Sequence, residues 1–325
     1  MKVCILGAGA YGLCLGMTIL DNKNDVTIWT KFEDEKKSLI ETKRSKALPD
    51  IIIDNKLNIS TDLKNSIKDS QLIIVAVPSN NVREVIELAK DFINPNQHIC
   101  IASKGIENDS LKFMSDVVIE IIHTENICII SGPGFATDIA KKFPVGLSLA
   151  SNKQETIDLT KKAFENKYMK LYETNDLIGV QLCGSIKNVL AIASGILAGS
   201  NYPISTQSLF LTTIVNNIKD LIIKLGGNKE TIISLAGIGD IYLTCSSHKS
   251  RNYTFGYMIG SNCSKKQKEE YLKNNNVEGV YTLKSIYSLL KKQEINIPVI
   301  NKLMDIIYND ASIDDFILSI FHTIQ

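Results

Sequence analysis

Val3-Cys4-Ile5-Leu6-Gly7-Ala8-Gly9-Ala10-Tyr11-Gly12 stands near the start of the sequence, and its reading decides the fold. Four apolar, strand-forming residues run straight into Gly7-x-Gly9-x-x-Gly12, and residues 11–20 continue as a helical pattern. Each glycine in that spacing has a mechanical task. The first makes a tight turn, the second lets backbone approach a pyrophosphate, and the third lets helix and strand pack closely. A helix N-terminus placed there favours anions through its free N–H groups and its dipole. Strand, glycine turn and helix in this order predict a dinucleotide site at the head of a doubly wound sheet.

Working outward, β-rich runs occupy residues 3–6, 25–29, 72–77, 98–103, 127–131, 146–150 and 169–172, with a weaker one at 57–60. Several are nearly continuous in Val, Ile, Leu and Cys, the mark of strands buried on both faces. Helical periodicity fills stretches between them, such as 81–92 and 111–122. This alternation predicts an α/β, Rossmann-like, mainly parallel sheet over residues 1–175. From Asn175-Asp176, an N-cap signal, the pattern turns helical: 177–198, 206–225, 229–234, 265–273, 282–292 and 300–307. Residues 176–325 are therefore expected to form an all-α second domain. No internal repeat or low-complexity linker interrupts either part.

With 36 Lys and Arg against 35 Asp and Glu, the chain has no global basic field calling for nucleic acid or anionic membrane. Glycines break the apolar N-terminus, and Asp21-Asn22-Lys23-Asn24 follows it, which argues against a signal peptide. No other run reaches the uncharged span of a membrane helix. Cys4, Cys14, Cys100, Cys128, Cys183, Cys245 and Cys263 are odd in number, scattered and without a CxxC pair. That pattern points to free thiols, no metal site and a reducing compartment, here the cytoplasm. His98, His123, His248 and His322 show no ligand spacing and are read as non-catalytic.

Near the end of the second strand, Trp29-Thr30-Lys31 lacks the early carboxylate that usually grips an adenine ribose; Glu33 comes further on. Lys31 suits a 2′-phosphate or is a solvated loop charge, so NAD and NADP both remain open. Ser103-Lys104-Gly105 follows a strand at the carboxyl edge of the sheet, where ligands of such folds bind. Ser131-Gly132-Pro133-Gly134-Phe135-Ala136 follows another strand and again opens a helix. Lys187 shares a helix face with Val180, Cys183, Gly184, Ala191 and Ser194, a costly place for an ammonium unless it snorkels or is used. Desolvation there lowers a lysine pKa toward the range in which it can take a proton. Asp240 sits amid the apolar Gly237-Ile238-Gly239 and Ile241-Tyr242-Leu243, and needs a cationic or hydrogen-bonding partner. Arg251-Asn252 offers a charged fork beside an amide, chemistry that grips phosphate.

These segments carry a resemblance. GAGAYG, SKGIE, SGPGFA, IGVQLCGSIKNVLAIASGI, AGIGDIYLTC, SRN and VEGVYT make the chain similar to the bacterial type of NAD(P)-dependent glycerol-3-phosphate dehydrogenase, in order and approximate spacing. The resemblance covers essentially the whole chain. It implies hydride transfer between NAD or NADP and a triose phosphate, interconverting sn-glycerol 3-phosphate and dihydroxyacetone phosphate, with glycerol 3-phosphate supplied for phospholipid synthesis. It implies Lys187 as the acid/base, with Lys104, Asp240 and Thr244 completing the reaction centre. Substrate would be held by Lys104, Gly132, Gly134, Lys187, Asp240, Ser250, Arg251 and Asn252. Cofactor would be held by Gly7, Gly9, Ala10, Tyr11, Gly12, Lys31, Lys104, Ala136, Arg251, Asn276 and Glu278. A homodimer is expected by resemblance alone.

Three departures stand out. Gly134 replaces a family Ser or Thr and removes a hydroxyl, and basic residues usual near Gln207 and Thr213 are absent. These changes bear on efficiency more than on reaction class. Two other readings share the same features: a dehydrogenase of another small hydroxy or keto acid, and a weakly active dinucleotide-binding protein. Dependence on the substrate phosphate, tested through Arg251, separates the first; cofactor binding without turnover marks the second.

Overall fold

In a computed structural model, residues 1–309 and 311–322 are described; residue 310 and residues 323–325, the end of the expected helical domain, lie outside them. The chain forms two compact units. One comprises Met1–Lys104 and Met114–Leu177, the other Gly105–Phe113 and the chain from Ile178 onward.

The first unit is built on eight strands: β1 Lys2–Leu6, β2 Asp25–Trp29, β3 Asn58–Ser60, β4 Leu72–Val75, β5 His98–Ile101, β6 Ile127–Ser131, β7 Val145–Ala150 and β8 Met169–Thr174. Their order in the sheet is β3-β2-β1-β4-β5-β6-β7-β8, and every neighbouring pair is parallel except β6 with β7. The helices are α1 Ala10–Asp21, α2 Glu33–Thr42, α3 Leu63–Ile67, α4 Val82–Ala89, α5 Met114–Ile122, α6 Ala136–Ala140 and α7 Gln154–Phe164. β1, β4, β5 and β6 are almost wholly buried, which explains their unbroken runs of apolar residues. Val3, Ile5, Ile74, Cys100 and Ile130 share a core with Leu13, Cys14 and Ile19 of α1.

The second unit contains α8 Leu177–Gly199, α9 Ile204–Lys224, α10 Asp240–Cys245, α11 Arg251–Gly260, α12 Lys265–Asn274, α13 Glu278–Lys292, α14 Pro298–Asn309 and α15 Ile313–His322. All but three residues of α8 are buried. Among the described residues it is the one helix long and apolar enough to cross a membrane, and 94% of its apolar window is buried inside the protein, the setting of a core helix. Gly195 and Gly199 of α8 face Gly256 and Gly260 of α11 so closely that no side chain fits. A Cβ on Gly256 would stand 2.0 Å from the Ile192 carbonyl oxygen, and one on Gly195 2.1 Å from that of Tyr253. Glycine permits this backbone-to-backbone approach. Side-chain oxygens cap α11 and α12. Ser250 accepts from the Tyr253 N–H, while Ser264 and Gln267 form a reciprocal capping box at α12.

Of the boundaries that differ from those expected, two bear on how the chain divides. Residues 111–122 do not form one helix, because Leu111 adopts a left-handed backbone (φ +57°) that ends regular pairing, and α5 begins at Met114. Gly105–Phe113, which precedes the expected cut at residue 175, groups with the helical unit. Ile106 is buried in the helical core, and its carbonyl accepts a hydrogen bond of 2.9 Å from Ser285 of α13.

Candidate active site

The glycine turn lies where β1 meets α1. Gly7 has φ +119°, and a Cβ on it would lie 2.8 Å from the Ala76 carbonyl oxygen; one on Gly12 would lie 2.0 Å from the Gly7 carbonyl oxygen. Around Gly9 nothing approaches within 4 Å of a Cβ position. Two of the three glycines are thus required by the protein's own packing, and the third borders open space. No side chain caps α1, and its first turn carries no acid. An open cradle under uncapped N–H groups fits a pyrophosphate. Gly7 and Gly9 belong to this turn, and Ala10, Tyr11 and Gly12 to the first turn of α1 that follows it.

Sheet register gathers the other segments of the first unit at the same edge. β1, β4, β5 and β6 are consecutive parallel strands, so Gly7, Ala76-Val77, Ser103-Lys104 and Ser131-Gly132 all emerge from their carboxyl ends. Ser103 Oγ donates to the Val77 carbonyl (2.5 Å), tying the β5 exit to the β4 exit. The Lys104 ammonium lies 5.9 Å from the centre of the Tyr11 ring, within cation–π range. Gly132 has φ +153°, and a Cβ there would stand 3.0 Å from Leu147 Cα, so glycine is built in. At Gly134 a Cβ would meet Ile139 Cδ1 at 3.1 Å and Val145 Cγ1 at 3.2 Å. The missing hydroxyl is matched by bulk on its neighbours. Ala136 opens α6, and Lys31 is exposed at the β2 exit, paired with Glu84 of α4 at 2.5 Å.

The second unit presents its own constellation. The Lys187 Nζ, nearly buried on α8, donates to Asp240 Oδ1 at 2.6 Å and to Thr244 Oγ1 at 3.2 Å. Thr244 Oγ1 in turn donates to the Asp240 carbonyl at 2.6 Å. Burial disfavours the charged lysine while the carboxylate favours it, so the partner that the sequence required for Asp240 is also what makes Lys187 tolerable there. Burial pushes the adjacent Cys245 thiol well up, leaving it a neutral core group. Asp240 is delivered by Leu235–Gly239, a π-type turn in which Gly237 takes a non-helical backbone; a Cβ there would lie 2.1 Å from the Ile232 carbonyl oxygen. Such wide turns are frequent at functional sites.

A second network adjoins it. Asn252 Oδ1 accepts from the Gly279 N–H (2.8 Å), and its Nδ2 donates to Asn188 Oδ1 (3.0 Å), which fixes the amide's orientation. Asn188 Nδ2 donates to Glu278 Oε2 at 3.3 Å. Asn188, next to Lys187 and buried, was not singled out from sequence. An amide beside a lysine on a helix gives no signal until α11 and α13 are known to pack there. Ser250 is buried and caps α11, and Arg251, exposed, starts that helix. Asn276 is exposed in the turn before α13. Gln207 and Thr213 lie half-buried on α9, and in that helix the Asn217 Oδ1 is buried without a hydrogen-bond partner. His98 is buried against Thr156 and His248 packs edge-on between Tyr253 and Tyr257, while the His322 side chain lies outside those described. Among the described residues no group of three or more His, Cys, Asp or Glu is placed to hold a metal.

Comparison with known proteins gives the family. The model of the NAD-dependent glycerol-3-phosphate dehydrogenase N-terminus matches residues 2–157, and that of the C-terminus matches residues 176–318. A glycerol-3-phosphate dehydrogenase [NAD(P)+] of Staphylococcus haemolyticus is 33% identical over 320 residues, covering 97% of this chain and 96% of that protein. One from Leptospira biflexa is 34% identical over 315 residues, covering 95% and 94%. The crystal structure of glycerol-3-phosphate dehydrogenase from Coxiella burnetii superposes with a TM-score of 0.93 at 29% identity, covering 98% of each chain. The chain belongs to the NAD-dependent glycerol-3-phosphate dehydrogenase family.

Proposed function

We propose that this protein interconverts sn-glycerol 3-phosphate and dihydroxyacetone phosphate, with NAD(H) or NADP(H) as the redox partner. The observation that carries this reading is the buried Lys187–Asp240–Thr244 constellation, in a chain whose other unit holds the glycine cradle. The bound dinucleotide supplies or accepts the hydride. The Lys187 ammonium gives a proton to the carbonyl oxygen of dihydroxyacetone phosphate in the reductive direction, and in the oxidative direction the neutral amine takes the proton of the C2 hydroxyl. Asp240 and Thr244 hold the amine in one place, so that little reorganisation is needed when the proton moves. Arg251 supplies the planar fork for the phosphate, and the Asn188-oriented amide of Asn252 supports the glycerol portion. Gly132 and Gly134 follow β6 at the carboxyl edge of the sheet, and Lys104 adds positive charge at that edge.

Catalysis by a soluble homodimer in the cytoplasm, feeding phospholipid synthesis, completes the proposal. Its support is the family resemblance, together with seven free cysteines of which six are buried. A steady-state assay of NADH and NADPH oxidation on addition of dihydroxyacetone phosphate tests the activity. Arg251→Ala is expected to raise KM for the phosphorylated substrate well above its effect on kcat. Equal turnover of a non-phosphorylated analogue would assign a different substrate class.

A further inference from the structure

Beside the glycine cradle, the exit of β2 carries three acidic residues and two lysines in a fixed arrangement. Gly7 N–H donates to the Trp29 carbonyl at 2.9 Å, which sets the β2 exit directly beside the phosphate turn. This is the position from which an acidic residue grips a ribose diol in dinucleotide folds, and where a 2′-phosphate must fit if NADP is used. In sequence the exit reads Thr30-Lys31, and no carboxylate stands at the expected place. The structure supplies one from further along. Buried Thr30, anchored through its N–H to the Ser60 carbonyl (2.9 Å), donates its hydroxyl to Glu35 Oε2. Glu35 belongs to the first turn of α2, with Glu33 and Asp34, where the helix dipole favours negative charge. Lys31, the one cation on the exit itself, is paired with Glu84 at 2.5 Å. Glu33 is held by Lys36 at 3.1 Å and by the Thr61 hydroxyl at 3.0 Å.

Building on the dinucleotide reading, we infer that the Thr30-anchored Glu35 carboxylate selects NAD(H) over NADP(H). A free ribose diol can donate to a fixed carboxylate. A 2′-phosphate there brings up to two negative charges against Glu35 and has to draw Lys31 away from Glu84. Like charges brought together at one site cost enough to set specificity.

The test uses the full chain and equilibrium binding rather than turnover. Trp29, the single tryptophan, ends β2 and reports on ligand at this edge by fluorescence, with calorimetry as a second measure. NADH is expected to bind about tenfold or more tightly than NADPH. Glu35→Gln keeps a hydrogen-bonding partner for Thr30 and removes the charge, so it should shrink that ratio several-fold with an unchanged circular dichroism spectrum. Equal or tighter binding of NADPH by the unsubstituted chain overturns the inference, as does a ratio that Glu35→Gln leaves in place. Binding of neither cofactor overturns the dinucleotide reading itself, and the inference with it.

Discussion

A lysine ammonium and an aspartate carboxylate carried together into a protein interior each depend on the other. Asp240 is 1% exposed and meets Lys187 at 2.6 Å. Removing one partner of such a pair costs about 3–5 kcal/mol, because the other charge is left buried and uncompensated. Lys187→Met should therefore lower stability in denaturant titrations and cut kcat by about 10²-fold or more, the scale of losing an acid/base group. The double variant Lys187→Met, Asp240→Asn should recover much of the stability while remaining inactive. Turnover restored along with stability would show that Lys187 had only a structural role. Both residues announce themselves in sequence, as charges set among small and apolar neighbours. Asn188 does not, because its partners Asn252 and Glu278 lie 64 and 90 residues away and meet it only after three helices have packed.

Helix packing decides whether those amides meet at all. α8 and α11 touch backbone to backbone, with Gly256 against Ile192, and a methyl group at Gly256 would stand 2.0 Å from a carbonyl oxygen. Gly256→Ala must therefore push the helices apart. Overpacking of this kind costs about 1–3 kcal/mol, and a lower urea midpoint together with a raised KM for the phosphorylated substrate is the expected result. An unchanged KM would mean that the Asn188–Asn252 bond does not depend on this crossing. β5 offers a pH test. His98 is buried beside Thr156, and burial holds its imidazole below the ordinary value, with the nearby Glu155 opposing more weakly. Because the folded value lies below the unfolded one, the unfolded chain binds more protons as pH falls through about 6.5. Stability is then complete above that pH and lost below it. The urea midpoint should drop on acidification, and His98→Gln should flatten the drop. A slope unaltered by that substitution would assign it to other groups. β1, β4, β5 and β6 were legible because burial on both faces leaves continuous apolar runs, whereas β8 shows as an alternation of buried and exposed residues. α2 and α7 were not, since α2 buries only Leu39 and α7 a single stripe, each among many charges and with no glycine or proline at its ends. The edge position of Glu35 was equally hidden. It depends on α2 turning back so that Glu35 meets Thr30, five residues earlier.

At the scale of the whole chain, each unit has its own closed core, but the division does not follow the sequence in one step. Gly105–Phe113 leaves the sheet after Lys104, contributes to the helical unit, and returns at Met114. The excursion is held by Ile106 in the helical core and by the Ser285 hydroxyl on its carbonyl, with Phe113 packed against the same cluster. One buried isoleucine in a short polar stretch carries no periodicity, and its hydrogen-bond partner lies 179 residues away, so a pattern read along the chain does not set the segment apart. Ile106→Ala decides the assignment. Truncating a buried isoleucine costs about 2–5 kcal/mol, and the loss falls on the elements that surround the cavity. Hydrogen exchange on the folded protein should then show faster exchange across α13, with the amides of β5 and β6 protected as before. Faster exchange in β5 and β6, with α13 unaffected, would return the segment to the sheet unit and make residue 175 the single boundary.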